Sequence, residues 1–153
     1  MKELNQHPVI HEQAVAWGDM DAFGHVNNVL YYRYIESARI KYMDILDFFA
    51  AEVYTVVASN QCKYLKPVFY PDTLKITASI EEIRTSGFKM TYQIWSTTQN
   101  TWVASAEAIM VVVDKNTLKK QAIPNNIKNK IIELETVAGN TPTIFNWDQL
   151  SQN

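Results

Sequence analysis

Residues 17–28 bring together side chains that are suited to chemistry. The segment holds two aspartates, Asp19 and Asp21, followed by His25 and the pair Asn27–Asn28. A carboxylate held next to a reactive carbonyl acts either as a nucleophile or as a general base toward water. The same residue types, together with the two glycines of the segment, are also typical of a hydrogen-bonded turn. On residue type alone, both interpretations stay open.

A long helix is predicted directly after this segment. No glycine or proline occurs between about Val29 and Ala51, and apolar residues recur there at helical spacing. With Asn27 or Asn28 as the N-cap, the helix has about 20 residues and a length of about 30 Å. Its first backbone N–H groups lack intrahelical partners and lie at the positive end of the helix dipole. We therefore expect the main-chain N–H of Asn28 to stabilise an oxyanion.

Most of the remaining chain alternates between apolar and polar residues, as strands do. Because these strands are segregated from the long helix, the fold class is α+β. An open antiparallel sheet leaves an edge strand exposed, and pairing with a second copy would cover it, so we expect a homodimer. The predicted strands are 9–16, 54–64, 73–84, 88–97 and 102–114, and a final helix covers 125–136.

Composition limits the class of protein. With 153 residues the chain forms one domain, 1–153, whose core covers about 9–136 and whose tail, 137–153, packs as an arm or is loose. The 14 basic and 16 acidic residues give a net charge of −2, which argues against a nucleic-acid partner.

The single cysteine, Cys62, cannot form an internal disulfide, so a reducing compartment is expected. We expect a buried strand thiol there and not a nucleophile. No signal-peptide core or membrane-length apolar run is present, which predicts a cytoplasmic protein without a membrane partner. His7 and His11 show no metal-ligand pattern with Cys62, so no metal site is expected.

The loop motif resembles a known family. Asp-Met-Asp-Ala-Phe-Gly-His-Val-Asn-Asn at 19–28, followed by Tyr31, Tyr34, Glu36 and Arg39, is similar to the hotdog-fold thioesterases of the 4-hydroxybenzoyl-CoA thioesterase-like family. Further similarity covers the Tyr-Leu-Lys-Pro sequence at 64–67 and the last strand. The resemblance implies a five-stranded antiparallel sheet wrapped around the long central helix. It also implies dimers that often associate into tetramers, with active sites at the subunit interface.

The resemblance further implies hydrolysis of an acyl-CoA thioester without metal or bound cofactor, coenzyme A being part of the substrate. It aligns Asp21 with the family's catalytic carboxylate and leaves Asp19 as a turn residue. His25 either orients the substrate carbonyl and tunes Asp21, or is a loop histidine with a structural hydrogen bond. For Glu36 we favour an ion pair with Arg39, three residues later on the helix.

Phosphates of coenzyme A need cations and N–H donors, and the family often places its nucleotide at the turn between the third and fourth strands. The chain departs from the family in having few arginines there, and in having Ala16 where an arginine often precedes the aromatic residue. An aromatic side chain near the helix start is expected to line the acyl pocket. The predicted substrate-binding residues are Tyr31, Lys66, Pro67, Arg84, Ser86, Gly87 and Lys89.

Two alternatives remain at this stage. One is an enzyme of the same fold that acts on acyl groups carried by acyl carrier protein. The other is a dimeric, aromatic-lined binder of acyl or aromatic ligands that kept the fold without catalysis; retention of Asp21 and of the Gly24-His25 step argues against it. Fold alone does not decide between them.

Overall fold

The computed structural model describes residues 2–145, which form one curved antiparallel sheet with two helices. Three short 3₁₀ turns cover Leu4–Gln6, Trp17–Asp19 and Phe48–Ala50. In chain order the other elements are β1 (Val9–Ala14), α1 (Asn28–Ile45), β2 (Val53–Tyr64), β3 (Thr73–Ile83), β4 (Gly87–Ser96), β5 (Thr101–Asp114), α2 (Asn125–Val137) and β6 (Thr143–Ile144).

The main sheet has the strand order β1-β3-β4-β5-β2, and all of its pairs are antiparallel. The two-residue β6 adds a parallel pair to the far end of β3. The predicted α+β class and the five-stranded antiparallel sheet around a central helix are confirmed, with β6 as a short sixth strand. No helix within residues 2–145 combines the length and apolarity needed to cross a bilayer.

The core lies between α1 and one face of the sheet. Helix positions 31, 34, 35, 38, 42 and 43 are buried, which is the wide stripe predicted from their spacing. From β3 the four residues Leu74, Ile76, Ala78 and Ile80 meet this stripe, each at most 1% exposed. Alternation along a strand therefore identified the inward face correctly.

The helix ends earlier than predicted. α1 stops at Ile45 instead of near Ala51, because Asp47 adopts a left-handed conformation with φ of 56°. A 3₁₀ turn then carries the chain to β2, and Phe48 packs into the core. The absence of glycine and proline did not indicate this stop, because an aspartate can also adopt the left-handed conformation.

The second face of the sheet is also partly buried. Thr77 and Ser79 occupy the polar positions of the alternation in β3, yet both are buried. His7 lies over them: its Nδ1 is 2.8 Å from the Ser79 hydroxyl and its Nε2 is 2.5 Å from Oε1 of Gln93. Burial lowers the pKa of His7, which favours the neutral ring in this position.

One glycine is required by close packing. A Cβ added to Gly87, the first residue of β4, would lie 2.3 Å from the carbonyl oxygen of Met110 on β5. No real side chain tolerates that distance to backbone, so the turn before β4 depends on glycine. The close contact constrains the hairpin turn between β3 and β4. This is the turn at which the family resemblance places the nucleotide of coenzyme A.

The tail packs as an arm as far as it is described. After α2 the chain turns at Gly139 and runs along β3, where the N–H of Phe145 donates to the carbonyl of Ile83 at 2.8 Å. Residues 146–153 of the predicted tail lie outside the described residues.

A buried carboxylate connects this arm to the core. Oε2 of Glu135 accepts from the Tyr42 hydroxyl at 2.6 Å and from the Ile80 N–H at 3.2 Å, and Oε1 accepts from Asn140 Nδ2 at 3.2 Å. Burial raises the pKa of Glu135 above its ordinary value of 4.5, although these donors oppose the shift. One side chain thus joins α1, β3 and the end of α2.

This raised pKa predicts a pH dependence of stability. The contribution of a group whose pKa rises on folding is complete below its unfolded value, here 4.5, and declines as the pH increases through the folded value. Glu135→Gln keeps the one oxygen that accepts from both Tyr42 and Ile80, but its amide does not titrate in this pH range. We therefore expect the wild type to lose free energy of unfolding relative to Glu135→Gln as the pH rises from 4.5 toward neutrality, measured by urea denaturation.

The matched control is Glu133→Gln, which removes one exposed carboxylate from the same helix. Parallel stability curves for the wild type and Glu135→Gln over this range would contradict the prediction.

Candidate active site

The loop between β1 and α1 lies at the end of the sheet where β3 begins. The N–H of Val15 donates to the carbonyl of Asp72 at 2.9 Å, and that of Val26 donates to the carbonyl of Val68 at 2.8 Å. Both acceptors belong to the connection between β2 and β3, so the loop is held at its two ends by the same segment.

The loop is folded as a miniature hairpin. The Asn27 N–H donates to the Asp19 carbonyl at 2.9 Å, Met20 and Val26 form an antiparallel bridge, and the Asp21 N–H donates to the His25 carbonyl at 2.7 Å. Residues 21–25 form the tip of this structure. Gly24 makes the tip possible with a φ of 82°, a conformation that a side chain disfavours.

The two carboxylate oxygens of Asp21 have different surroundings. Its Oδ1 accepts from the N–H groups of Phe23 at 2.8 Å and His25 at 3.4 Å, which closes the turn. No donor within residues 2–145 bonds to Oδ2, and the side chain is exposed. One carboxylate oxygen holds the turn, and the other is available to a substrate.

Asp19 is engaged inside the structure instead. Its Oδ2 accepts from the Tyr34 hydroxyl at 2.5 Å and from the Ala16 N–H at 3.1 Å. This agrees with its interpretation as a turn residue and leaves Asp21 as the available acid of the loop.

His25 contacts Asp21 through its backbone. Its ring packs edge-on against Phe69, with centroids 5.0 Å apart, and is half-buried. A role of the ring in orienting substrate stays a prediction.

The start of α1 faces the same region. The side chain of Asn27 is the N-cap and accepts from the Val29 N–H at 3.1 Å, so Asn28 is the first helical residue. The Tyr64 hydroxyl donates to the Asn28 carbonyl at 3.1 Å and ties the helix start to the edge strand β2. The backbone donors expected at this helix start are therefore in a held position.

Tyr31 is buried beside this helix start. Its ring lies edge-on to Tyr64 with centroids 4.9 Å apart, and burial raises its pKa to about 12, so its hydroxyl stays protonated. Lys66 and Pro67 lie in the nearby connection after β2. The Lys66 N–H donates to the Val103 carbonyl at 3.2 Å, and the Pro67 carbonyl accepts from Gln99 at 2.9 Å. These three predicted residues share the loop end of the sheet with Asp21.

The hairpin turn between β3 and β4 borders a cavity of about 710 Å³. Arg84, Ser86 and Gly87 line it, and their role in substrate binding stays a prediction. Lys120 lines it too and was missed, because only a bridge between Val113 and Lys120 folds this residue back to the turn. The Arg84 guanidinium is half exposed and lies 3.0 Å from Oε2 of Glu82, so most of its N–H donors remain available.

Lys89 does not line the hairpin cavity. Its Nζ lies 3.2 Å from a Glu107 carboxylate oxygen and 3.8 Å from one of Glu81, and the hydrogen bond to Glu107 raises its pKa. Its assignment to substrate stays a prediction. Glu36, by contrast, is exposed and lies 3.9 Å from Arg39, which fits the structural interpretation.

The hairpin cavity and the Asp21 loop lie at opposite ends of the sheet. Asp21 follows β1, whose last residue pairs with Thr73, whereas the turn follows Ile83 at the other end of β3. Eleven residues of strand separate these ends by about 33 Å. Within a single chain the structure does not bring the two predicted parts of the site together.

An aromatic rim of exposed side chains surrounds the Asp21 loop. It consists of Trp17, Phe23, Phe69 and Tyr70, each at least 45% exposed, which sequence reasoning did not anticipate.

Within residues 2–145, no group of three or more metal-ligating side chains is assembled. Burial raises the pKa of the half-buried Cys62 thiol, which opposes a role as nucleophile.

Comparison with known proteins identifies the family. The sequence profile of the thioesterase-like superfamily matches residues 15–131, well over half of the chain and all of the Asp21 loop. This chain belongs to that superfamily. The predicted resemblance to hotdog-fold thioesterases is therefore confirmed.

Individual proteins that are similar to this chain share a limited part of its sequence. YsmA of Bacillus subtilis is 35% identical over 81 residues, which span 52% of this chain and 55% of YsmA. The long-chain acyl-CoA thioesterase FadM of Escherichia coli is 25% identical over 119 residues, or 75% of this chain and 90% of FadM. A thioesterase from Thermus thermophilus, crystallised with coenzyme A and zinc, is 25% identical with a TM-score of 0.77, covering 86% of this chain and 97% of that one.

The tip of the loop gives a testable prediction about its backbone. Gly24 and Gly139 have φ values of 82° and 88°, and an added Cβ would meet nothing within 4 Å at either position. We expect Gly24→Ala and Gly139→Ala each to lower the free energy of unfolding by about 1 kcal/mol, because alanine disfavours this conformation. Urea denaturation measures the loss.

Only Gly24 lies in the turn of Asp21, so hydrogen exchange of residues 21–25 should increase in Gly24→Ala and stay unchanged in Gly139→Ala. Equal exchange in this segment for both variants would show that the turn does not depend on Gly24.

Proposed function

We propose that this protein hydrolyses acyl-CoA thioesters, with Asp21 as nucleophile or general base. The observation that carries the proposal is the Oδ2 of Asp21, which is exposed at the tip of the loop while Oδ1 accepts the hydrogen bonds that close the turn. Membership of the thioesterase-like superfamily, and the activity named for FadM, support thioester hydrolysis as the reaction class.

Thioester hydrolysis needs few protein groups besides the Asp21 carboxylate. In one form Asp21 attacks the thioester carbonyl carbon, the coenzyme A thiolate leaves, and water hydrolyses the resulting mixed anhydride. In the other, Asp21 takes a proton from the water that attacks the carbonyl. In both, negative charge develops on the carbonyl oxygen, and the N–H of Asn28 is the proposed donor. A donor of this kind contributes about 2.7–4 kcal/mol to the transition state. The proposed steps use no metal or cofactor.

We propose that the complete site forms between two copies. β2 is an edge strand of the described sheet, and its Tyr54, Val56 and Val57 are at least 43% exposed. Antiparallel pairing of two β2 edges would place Val53 of one copy beside Tyr64 of the other. The hairpin end of one sheet would then lie at the Asp21 end of its partner, and the exposed aromatic rim would be covered.

This arrangement gives the coenzyme A part of the substrate its proposed place. Arg84, Lys120 and the backbone of the hairpin turn would meet the nucleotide phosphates, since cations and N–H groups bind such anions. The acyl group would extend to Asp21 of the partner, near Tyr31. Association into tetramers and a cytoplasmic location remain parts of the proposal.

Replacement of the carboxylate tests the reaction. We expect Asp21→Asn to lower the turnover of acyl-CoA at least 100-fold while the protein stays folded, because the amide oxygen still accepts from Phe23 but is neither nucleophile nor base. Release of coenzyme A is followed with a thiol-reactive dye across aliphatic and aromatic acyl-CoAs, and Asp44→Asn on the exposed face of α1 serves as control.

Equal turnover in wild type and Asp21→Asn would refute the role of Asp21. Matched carrier-protein thioesters belong in the same panel: a higher kcat/KM for these would favour the carrier-protein enzyme. Tight binding of acyl-CoA without any hydrolysis would favour a non-catalytic binder.

Lysines on the edge strand test the dimer. We expect wild type to have at least twice the 17.6 kDa mass of the chain in light scattering, and the double variant Val56→Lys/Val57→Lys to be monomeric and at least 10-fold less active. Lysines on an edge strand oppose pairing, and two copies would place like charges together. Val137→Lys, at a position 84% exposed on α2, controls for the added charge. An active monomeric wild type would contradict the shared site.

A further inference from the structure

The miniature hairpin that presents Asp21 rests on one buried hydroxyl. Tyr34 lies in the second turn of α1, is 4% exposed, and donates its hydroxyl to Oδ2 of Asp19 at 2.5 Å. Burial and the adjacent Asp19 carboxylate raise the pKa of Tyr34, so the hydroxyl remains a donor at neutral pH. This contact connects the body of the helix to the base of the loop.

Asp19 is in turn hydrogen-bonded to both ends of the miniature hairpin. The oxygen that accepts from Tyr34 also accepts from the Ala16 N–H at 3.1 Å, and the Asp19 carbonyl accepts from the Asn27 N–H at 2.9 Å. Asn27 in turn caps α1 through the N–H of Val29. The loop entry, the loop exit and the helix start therefore meet at one residue.

We propose that Tyr34 and Asp19 are positioning residues that set the height and orientation of the Asp21 carboxylate relative to the N-terminus of α1. The inference rests on the proposed function of Asp21. Only Met20, in extended conformation, separates Asp19 from Asp21, and the ladder from 19/27 through 20/26 to 21/25 transmits any displacement of the base to the tip. A displacement of about 1 Å at a reacting group can cost about 100-fold in rate.

A positioning role predicts a loss in kcat with little change in KM. Tyr34→Phe removes the donor and keeps the ring, so we expect kcat to fall 10- to 100-fold with KM within two-fold of wild type. Asp19→Ala should show the same loss. The double variant Tyr34→Phe/Asp19→Ala should be no slower than Asp19→Ala alone, because both changes break the same connection.

The conservative variant provides a rescue. Both bonds to the Asp19 side chain use the single oxygen Oδ2, so Asp19→Asn can keep both with its amide oxygen. We expect Asp19→Asn to retain at least a third of the wild-type kcat. The same change at Asp21 abolishes turnover if the proposed function is right, and the two aspartates are thereby separated.

Tyr42→Phe is the matched control for stability. It removes another tyrosine hydroxyl of the same helix that donates to a carboxylate, here Glu135 at 2.6 Å, and that has no hydrogen bond to the loop. It should lower the free energy of unfolding as Tyr34→Phe does but leave kcat unchanged. Hydrogen exchange of residues 16–27 should rise in Tyr34→Phe and not in Tyr42→Phe.

The outcomes are distinct. An active wild type in which Tyr34→Phe keeps its kcat, or in which Tyr42→Phe loses as much, overturns the positioning role and leaves the proposed function intact. A wild type that hydrolyses no thioester refutes the proposed function and the catalytic relevance of the pair together. Faster exchange of residues 16–27 with a selective loss of kcat in Tyr34→Phe supports the inference.

Discussion

Burying a tyrosine-rich helix in a curved sheet requires a polar partner for every hydroxyl that leaves water. An unpaired buried hydroxyl costs about 1–3 kcal/mol, so the gain from burying each ring depends on a well-placed acceptor or donor. Tyr34 bonds to Asp19, Tyr42 bonds to Glu135, and Tyr92 accepts from the buried guanidinium of Arg39 at 3.2 Å. Within residues 2–145, no fully buried side-chain nitrogen or oxygen lacks a partner.

These pairs also determine how the periphery of the protein is arranged. Glu135 holds the end of α2 and the C-terminal arm against the core through its hydrogen bonds. Asp19 holds the loop that precedes α1 against the helix through Tyr34. The requirement to satisfy hydroxyl groups thus places two carboxylates at opposite ends of one helix. At the loop end, Asp19 is held inside the structure, whereas Asp21, two residues later, is exposed.

The single chain contains two well-formed but separate regions. One holds the acid and the helix start, the other holds the cations of the hairpin turn, and the length of the strands lies between them. The edge of β2 and the aromatic side chains around Asp21 are uncovered in the single chain. The proposed two-fold arrangement would account for both facts with one interface.

Local sequence determined the elements and the inward face of the sheet, because strand and helix periodicity and capping residues act over a few residues. The preference for Asp21 over Asp19 came instead from the resemblance of the loop motif to a known family. Only the tertiary structure decided three other features: the end of α1, the burial of Thr77 and Ser79, and the position of Lys120 beside the hairpin cavity. It also decided that Tyr34 holds Asp19 while Lys89 pairs with Glu81 and Glu107. These outcomes depend on contacts between residues distant in the chain, whose partners are set by the packing of the sheet and leave no periodic signal in the sequence.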